Sequence, residues 1–169
     1  MYNNKKILII GLGNPILGDD GIGWHVAEKL RNQLFPNDGF ANDNLSIDVE
    51  SLALGGIRLM EELIDYHHAI IIDAIQTGKT PIGTVTHFSL EDFPTWPGGH
   101  TGSSHDTNFT TAMEMGRKMK LALPDQIDII GIEAENIYEF SEKLSPQVEK
   151  SIPEALMLVN KLLGKLREI

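Results

Sequence analysis

Three residues of this 169-residue chain have the type and setting for chemistry on a cation or a peptide bond: Asp20, Asp73 and His105. Asp20 lies in Gly18-Asp19-Asp20-Gly21, soon after the turn Gly11-Leu12-Gly13-Asn14-Pro15. Asp73 follows Ile70-Ile71-Ile72, and His105 stands in Ser103-Ser104-His105-Asp106, just ahead of a helical pattern. Two carboxylates and one imidazole on separate loops can converge on a divalent cation or work as a hydrolytic acid-base set. Oxygen and nitrogen donors without sulfur are compatible with nickel, zinc, manganese or iron, and geometry decides among them.

Each of these residues also has a plain structural use. Asp19 or Asp20 could cap the helix that follows, and Ser104-His105-Asp106 could cap another. Asp73 ends an apolar strand, where a buried carboxylate must find a partner, and that cost favours function. His25, His67, His68, His87 and His100 read as surface or packing residues; His100 stands out for its Gly/Pro-rich loop. Gly11 and Gly13 suggest a dinucleotide fingerprint, but Ile16 occupies the place of the third glycine and Asp19-Asp20 would repel a pyrophosphate. A tight turn explains those two glycines. The chain has neither a G-x-S-x-G elbow nor an H-E-x-x-H helix. With no Cys, thiolate zinc sites, iron-sulfur clusters, disulfides and cysteine nucleophiles are all excluded.

Hydrophobic period assigns the strands and helices around these three residues. The run 7–10 reads as a buried parallel strand ending in glycines. Ile22, Val26, Ala27, Leu30 and Leu34 recur at helical spacing and stop before Pro36. Residues 37–44 are loop-forming, and Leu45, Ile47 and Val49 alternate as a half-exposed strand. Gly55-Gly56 opens a helix through Ile57, Leu59 or Met60, Leu63 and Ile64. Residues 69–72 form the most apolar strand and end at Asp73. A turn over 77–81 leads to a strand at 83–88. The irregular stretch 91–104, with Trp96 and His100, is either a rim that docks a partner or an ordinary exposed loop. A helix over 108–121 uses Phe109, Ala112, Met113, Met115 or Gly116, and Met119. A strand covers Ile127, Ile129, Ile130 and Ile132. The last helix starts at Ser145-Pro146, runs through Val148, Ile152, Leu156, Val159, Leu163 and Leu166, and is expected to kink at Pro153.

Five strands alternating with helices, without a linker or repeat, make one α/β domain over residues 1–169. A chain of this length buries roughly 70% of its unfolded surface, enough for a full core. Fourteen Lys and Arg against 24 Asp and Glu leave a net charge of -10, which opposes a nucleic-acid partner. Lys5-Lys6 and the apolar run 7–10 are too short for a signal peptide, and no stretch nears the ~20 apolar residues of a membrane helix. A soluble, cytoplasmic protein is expected.

The residues Gly11-Leu12-Gly13-Asn14-Pro15-Ile16-Leu17-Gly18-Asp19-Asp20-Gly21-Ile22-Gly23, then Gly56, Ile71-Ile72-Asp73-Ala74 and Ser104-His105-Asp106, together resemble the maturation endopeptidases of [NiFe] hydrogenases. That resemblance covers nearly the whole chain, including Leu144-Ser145-Pro146. It implies a three-layer α/β/α sandwich around a twisted, mostly parallel but mixed five-stranded sheet. It also implies an aspartic-type endopeptidase that removes a C-terminal extension from the hydrogenase large-subunit precursor after nickel insertion. Asp20, Asp73 and His105 then carry both the nickel-recognising and the catalytic roles, with Asp19 and Gly56 nearby. The nickel belongs to the substrate, other divalent cations could take its place, and the enzyme is expected to be a monomer. Two rivals stay open: a nickel-sensing chaperone of the same precursor, and a hydrolase like peptidyl-tRNA hydrolase. The latter shares the Gly11 to Pro15 turn, but the chain's acidity opposes tRNA binding.

Overall fold

A computed structural model describes residues 5–35, 45–92 and 109–167. His105 and Asp106, Trp96, His100 and the loop read at 37–44 lie outside the described residues.

Strands β1 (Lys5–Leu12), β2 (Leu45–Leu52), β3 (His68–Ile75), β4 (Val85–Ser89) and β5 (Gln126–Glu133) form one sheet in the order β2-β1-β3-β5-β4. Four strands are parallel, and β4 closes one edge antiparallel to β5. The composition of each strand matches its place. Central β3 is buried at every residue, as a parallel strand covered on both faces must be. Edge strand β2 buries Val49 while exposing Asp48 and Glu50.

Five helices cover the sheet: α1 (Ile22–Leu34), α2 (Gly56–Glu62), α3 (Phe109–Lys118), α4 (Pro146–Lys150) and α5 (Ile152–Arg167). On one face, Val26 and Leu30 of α1 and Ala155 and Val159 of α5 pack against Ile7, Ile9, Ile70 and Ile72. On the other, Leu59 and Leu63 of α2 and Phe109 and Met113 of α3 meet Leu8, Ile10, Ala69 and Ile71. The result is the three-layer α/β/α architecture expected, with two cores separated by the sheet. No helix among the described residues is long and apolar enough to cross a membrane.

The chain steps from β1 to β2 on one side and then crosses to β3 on the other, so the strand order reverses between β1 and β3. Ligands of open α/β sheets gather at such a switch point, outside the carboxyl ends of the strands. Close backbone approach fixes its shape. A Cβ on Gly23, in the first turn of α1, would lie 2.3 Å from the Leu12 carbonyl oxygen and 2.4 Å from that of Ile72. One on Gly11 would come within 2.2 Å of the Gly23 carbonyl oxygen. Only paired glycines let α1 start directly over the ends of β1 and β3.

Three local readings change. β3 continues two residues beyond Asp73, because β5 supplies partners for Asp73, Ala74 and Ile75 at Gly131, Ile132 and Glu133. A single polar residue does not end a strand whose neighbour keeps the ladder going. Ile57 and Met119 are exposed rather than core, since α2 and α3 bury Leu59, Met60, Met113 and Gly116. The final helix does not kink at Pro153 but divides at Ser151, whose hydroxyl donates to the Val148 carbonyl at 2.6 Å. Pro153 becomes the second residue of α5, where no backbone N–H is needed.

Gly23→Ala separates two opposing effects. Helix propensity alone would favour Ala by about 1 kcal/mol. The clash with two backbone carbonyls is expected to dominate and to lower unfolding free energy by about 3 kcal/mol, read as a lower urea midpoint.

Candidate active site at the sheet switch point

The loop that leaves β1 returns on itself before α1 begins. Gly13 donates its N–H to the Leu52 carbonyl at 3.0 Å, tying the loop to the end of β2. Its φ of 129° and the 1.8 Å that would separate a Cβ from the Asp20 carbonyl oxygen admit glycine alone. Asp20 then folds back, and its Oδ2 accepts the Asn14 N–H at 2.7 Å. The 3-10 turn Gly18–Gly21 carries both acidic residues and packs against β3.

Asp73 sits on β3 just past Ile72, which pairs with Gly11 in the last β1–β3 rung. Beyond that rung β1 parts from β3, although Leu12 still pairs with Leu52 of β2, so Asp73 borders the opening between β1 and β3. Strand alternation puts it on the face of Ala69 and Ile71, the face covered by α2 and α3. Asp20 and Asp73 are thus both buried and both delivered to the carboxyl edge at the switch point. Carboxylates in such low-dielectric surroundings attract a cation far more strongly than they would in water. His105 precedes the first residue of α3 by four positions and lies outside the described residues. Among the described residues, no group of three or more His, Asp or Glu side chains is placed to hold a metal ion by itself. Gly56, at the start of α2 with φ 57°, is buried at the same edge.

Asp19, next to Asp20, does something different. It is fully buried, with 0% exposure, and its two oxygens accept the Ser145 N–H at 2.6 Å and the Asn136 N–H at 3.3 Å. It therefore holds the connection from β5 to α4 and serves Ser145 at the head of α4, not the helix that follows it in sequence. Glu133, the last residue of β5, likewise takes the Thr77 and Gly78 N–H groups at 2.8 and 2.7 Å and the Thr77 hydroxyl at 2.6 Å. It shapes the turn after β3. No local signal marks this carboxylate, because its donors at Thr77 and Gly78 lie more than fifty residues earlier in the chain.

The histidines divide. His67 is exposed and its Nδ1 accepts the Lys6 N–H. His68 is buried, and with His87 it flanks Asp128: the two Nε2 atoms lie 2.7 and 2.5 Å from separate Asp128 oxygens. Gln126 donates a further bond at 3.2 Å. Burial alone would push the Asp128 carboxyl up, but the two imidazole hydrogen bonds and the charge of both rings outweigh it and hold the group below the usual carboxylate range. This cluster sits toward the amino ends of β3 and β5, away from Asp20 and Asp73, and ties edge strand β4 to the sheet.

The sheet order β2-β1-β3-β5-β4, with helices on both faces and two buried carboxylates at the switch point, defines a doubly wound α/β domain whose ligand edge lies at the carboxyl ends of β1 and β3. The family described as hydrogenase maturation protease matches residues 24–162, and the chain is a member of it and a peptidase. It is 26% identical to the Hydrogenase 2 maturation protease of Escherichia coli strain K12, over 96% of this chain and 92% of that protein. It superposes on the hydrogenase maturating endopeptidase HybD from E. coli with a TM-score of 0.71 at 28% identity, over 96% of this chain and 93% of that one. The [NiFe] hydrogenase maturation protease HybD from Thermococcus kodakarensis gives 0.65 at 25% identity, over 93% and 98% of the two chains.

Two substitutions test the structural carboxylates. Asp19→Ala leaves two backbone donors without their acceptor, so about 3 kcal/mol of stability should be lost, with faster amide exchange at Asn136 and Ser145. Asp128→Asn should cost about 2 kcal/mol at neutral pH. A carboxyl whose folded pKa is depressed contributes fully above its unfolded value near ~4 and loses that contribution as pH falls through the folded value. The gap between wild type and Asp128→Asn, measured by urea unfolding, should therefore narrow progressively below about pH 4.

Proposed function

We propose that this peptidase removes the C-terminal extension of a [NiFe] hydrogenase large-subunit precursor once nickel has been inserted. In this reading Asp20, Asp73 and His105 complete the coordination of the nickel that the precursor already holds. The observation that carries it is the delivery of Asp20 and Asp73, from different segments of the chain, to one edge at the switch point. Oxygen donors at those two positions and an imidazole at the third suit a borderline divalent cation, and a third protein ligand from His105 makes recognition depend on the metal's presence. Because the metal arrives with the substrate, the chain's own residues have three tasks: to bind the loaded precursor, to orient the scissile peptide beside Asp20 and Asp73, and to keep an empty precursor from docking productively. The enzyme acts in this proposal as a cytoplasmic monomer, without nucleic acid or membrane.

Nickel-loaded and nickel-free precursor are each incubated with the purified protein, and shortening is followed by mass spectrometry. Wild type should shorten the loaded form alone. Asp20→Ala, Asp73→Ala and His105→Ala should each lower the rate by at least about a hundredfold, with the thermal transition retained. Binding of the loaded precursor without shortening would overturn the endopeptidase reading, and normal processing by all three variants would overturn the assignment of residues.

A further inference from the structure

The connection between β5 and α4 runs alongside the Asp20 loop as a second short ladder. Ser141 donates its N–H to the Ile16 carbonyl at 3.1 Å, and Gly18 donates to the Ser141 carbonyl at 2.7 Å. Asp19 donates its N–H to the Asn136 carbonyl at 2.9 Å, and the buried Asp19 carboxylate fastens the far end at Ser145. The backbone under this stretch is therefore fixed at both ends.

On that fixed backbone stand side chains that the core does not use. Phe140 is 86% exposed and Tyr138 72%, the two most exposed large apolar side chains among the described residues. Ile16, half exposed, is brought beside Phe140 by the Ser141 bond. Glu135, Glu139 and Glu142 are exposed in the same stretch of chain, three carboxylates against the one exposed cation Lys143. Three exposed apolar side chains on adjacent, hydrogen-bonded segments of backbone offer apolar surface with acidic residues beside it in the chain. The charge and ring types select the occupant: three carboxylates attract Lys or Arg, and aromatic faces add a cation–π contribution, larger for Arg. Apolar groups between the charges contribute burial on contact.

We propose that Ile16, Tyr138 and Phe140, with the neighbouring exposed Glu135, Glu139 and Glu142, form a subsite that grips a stretch of the substrate polypeptide combining a basic residue with apolar neighbours, and presents it to the Asp20 edge. This rests on the peptidase reading above and names a part of the substrate surface that the metal does not supply. Position follows from the ladder: a single residue, Asp19, separates the rung at Gly18 from Asp20, so a chain lying along Phe140 and Ile16 continues directly onto the candidate site.

Two double variants of the full chain test it, Tyr138→Ser with Phe140→Ser, and Glu139→Gln with Glu142→Gln. Both change exposed side chains only. With nickel-loaded precursor as substrate, each pair should raise KM about tenfold while lowering kcat far less, and the wild-type KM should rise with salt more steeply than that of the glutamine pair. Unchanged KM in both pairs overturns the subsite. If wild type itself fails to shorten the precursor, the peptidase reading falls, and the subsite is judged by affinity for the same precursor in biolayer interferometry. A loss of about tenfold in the serine pair supports it there, and equal affinity overturns it.

Discussion

The contact on which the molecule depends is made by backbone alone. Gly23 at the head of α1 sits against the carbonyls of Leu12 and Ile72, and Gly11 sits against Gly23. No side chain fits there, so the distance between helix and sheet is set by the van der Waals radii of backbone atoms and not by the packing of any residue. That contact spans the ends of both β1 and β3. It thereby fixes the mouth of the switch point, the length of loop available between residues 13 and 20, and the level at which Asp20 meets the strand carrying Asp73. The glycine-rich opening of the chain is a packing device first, and the placement of an acidic residue follows from it.

Five carboxylates are buried among the described residues, and they divide by what satisfies them. Asp19, Glu133 and Asp128 are committed to named donors that fasten a connection, a turn and an edge strand respectively. Asp20 holds its own loop through one oxygen, and Asp73 stands where β1 has parted from β3. Burying five carboxylates in one domain is costly, and each negative charge near another raises the cost further. Backbone N–H groups absorb that cost at Asp19 and Glu133, and imidazoles absorb it at Asp128.

Much of this was legible in sequence, and the boundary between what was and was not is physical. The strand before Gly11, the helix from Ile22 and the apolar β3 declared themselves by period, because burial on one or both faces imposes period directly. The opening motif with Asp73 carried the family. What stayed hidden depends on register between distant segments. Asp73 read as a strand end because nothing local reveals that β5 offers three more partners. Asp19 read as a cap for its own helix, whereas its acceptor role is met at Asn136 and Ser145. His68 and His87 read as surface or packing residues, since the carboxylate between them lies 60 and 41 positions away. Strand order, which turns these residues into a site, is likewise set by crossovers that leave no mark in local composition.

The Asp19 fastening has a consequence for how the chain comes into being. Its two partners follow it by 117 and 126 residues. During synthesis the acidic turn emerges early, yet the groups that hold it in shape leave the ribosome only when most of the chain has been made. Loop closure across that span is among the slower kinds of event in folding. The shape of the acidic turn is therefore acquired late: a nascent fragment ending before Ser145 carries both Asp20 and Asp73 but lacks the Ser145 end of the clamp that holds their neighbourhood.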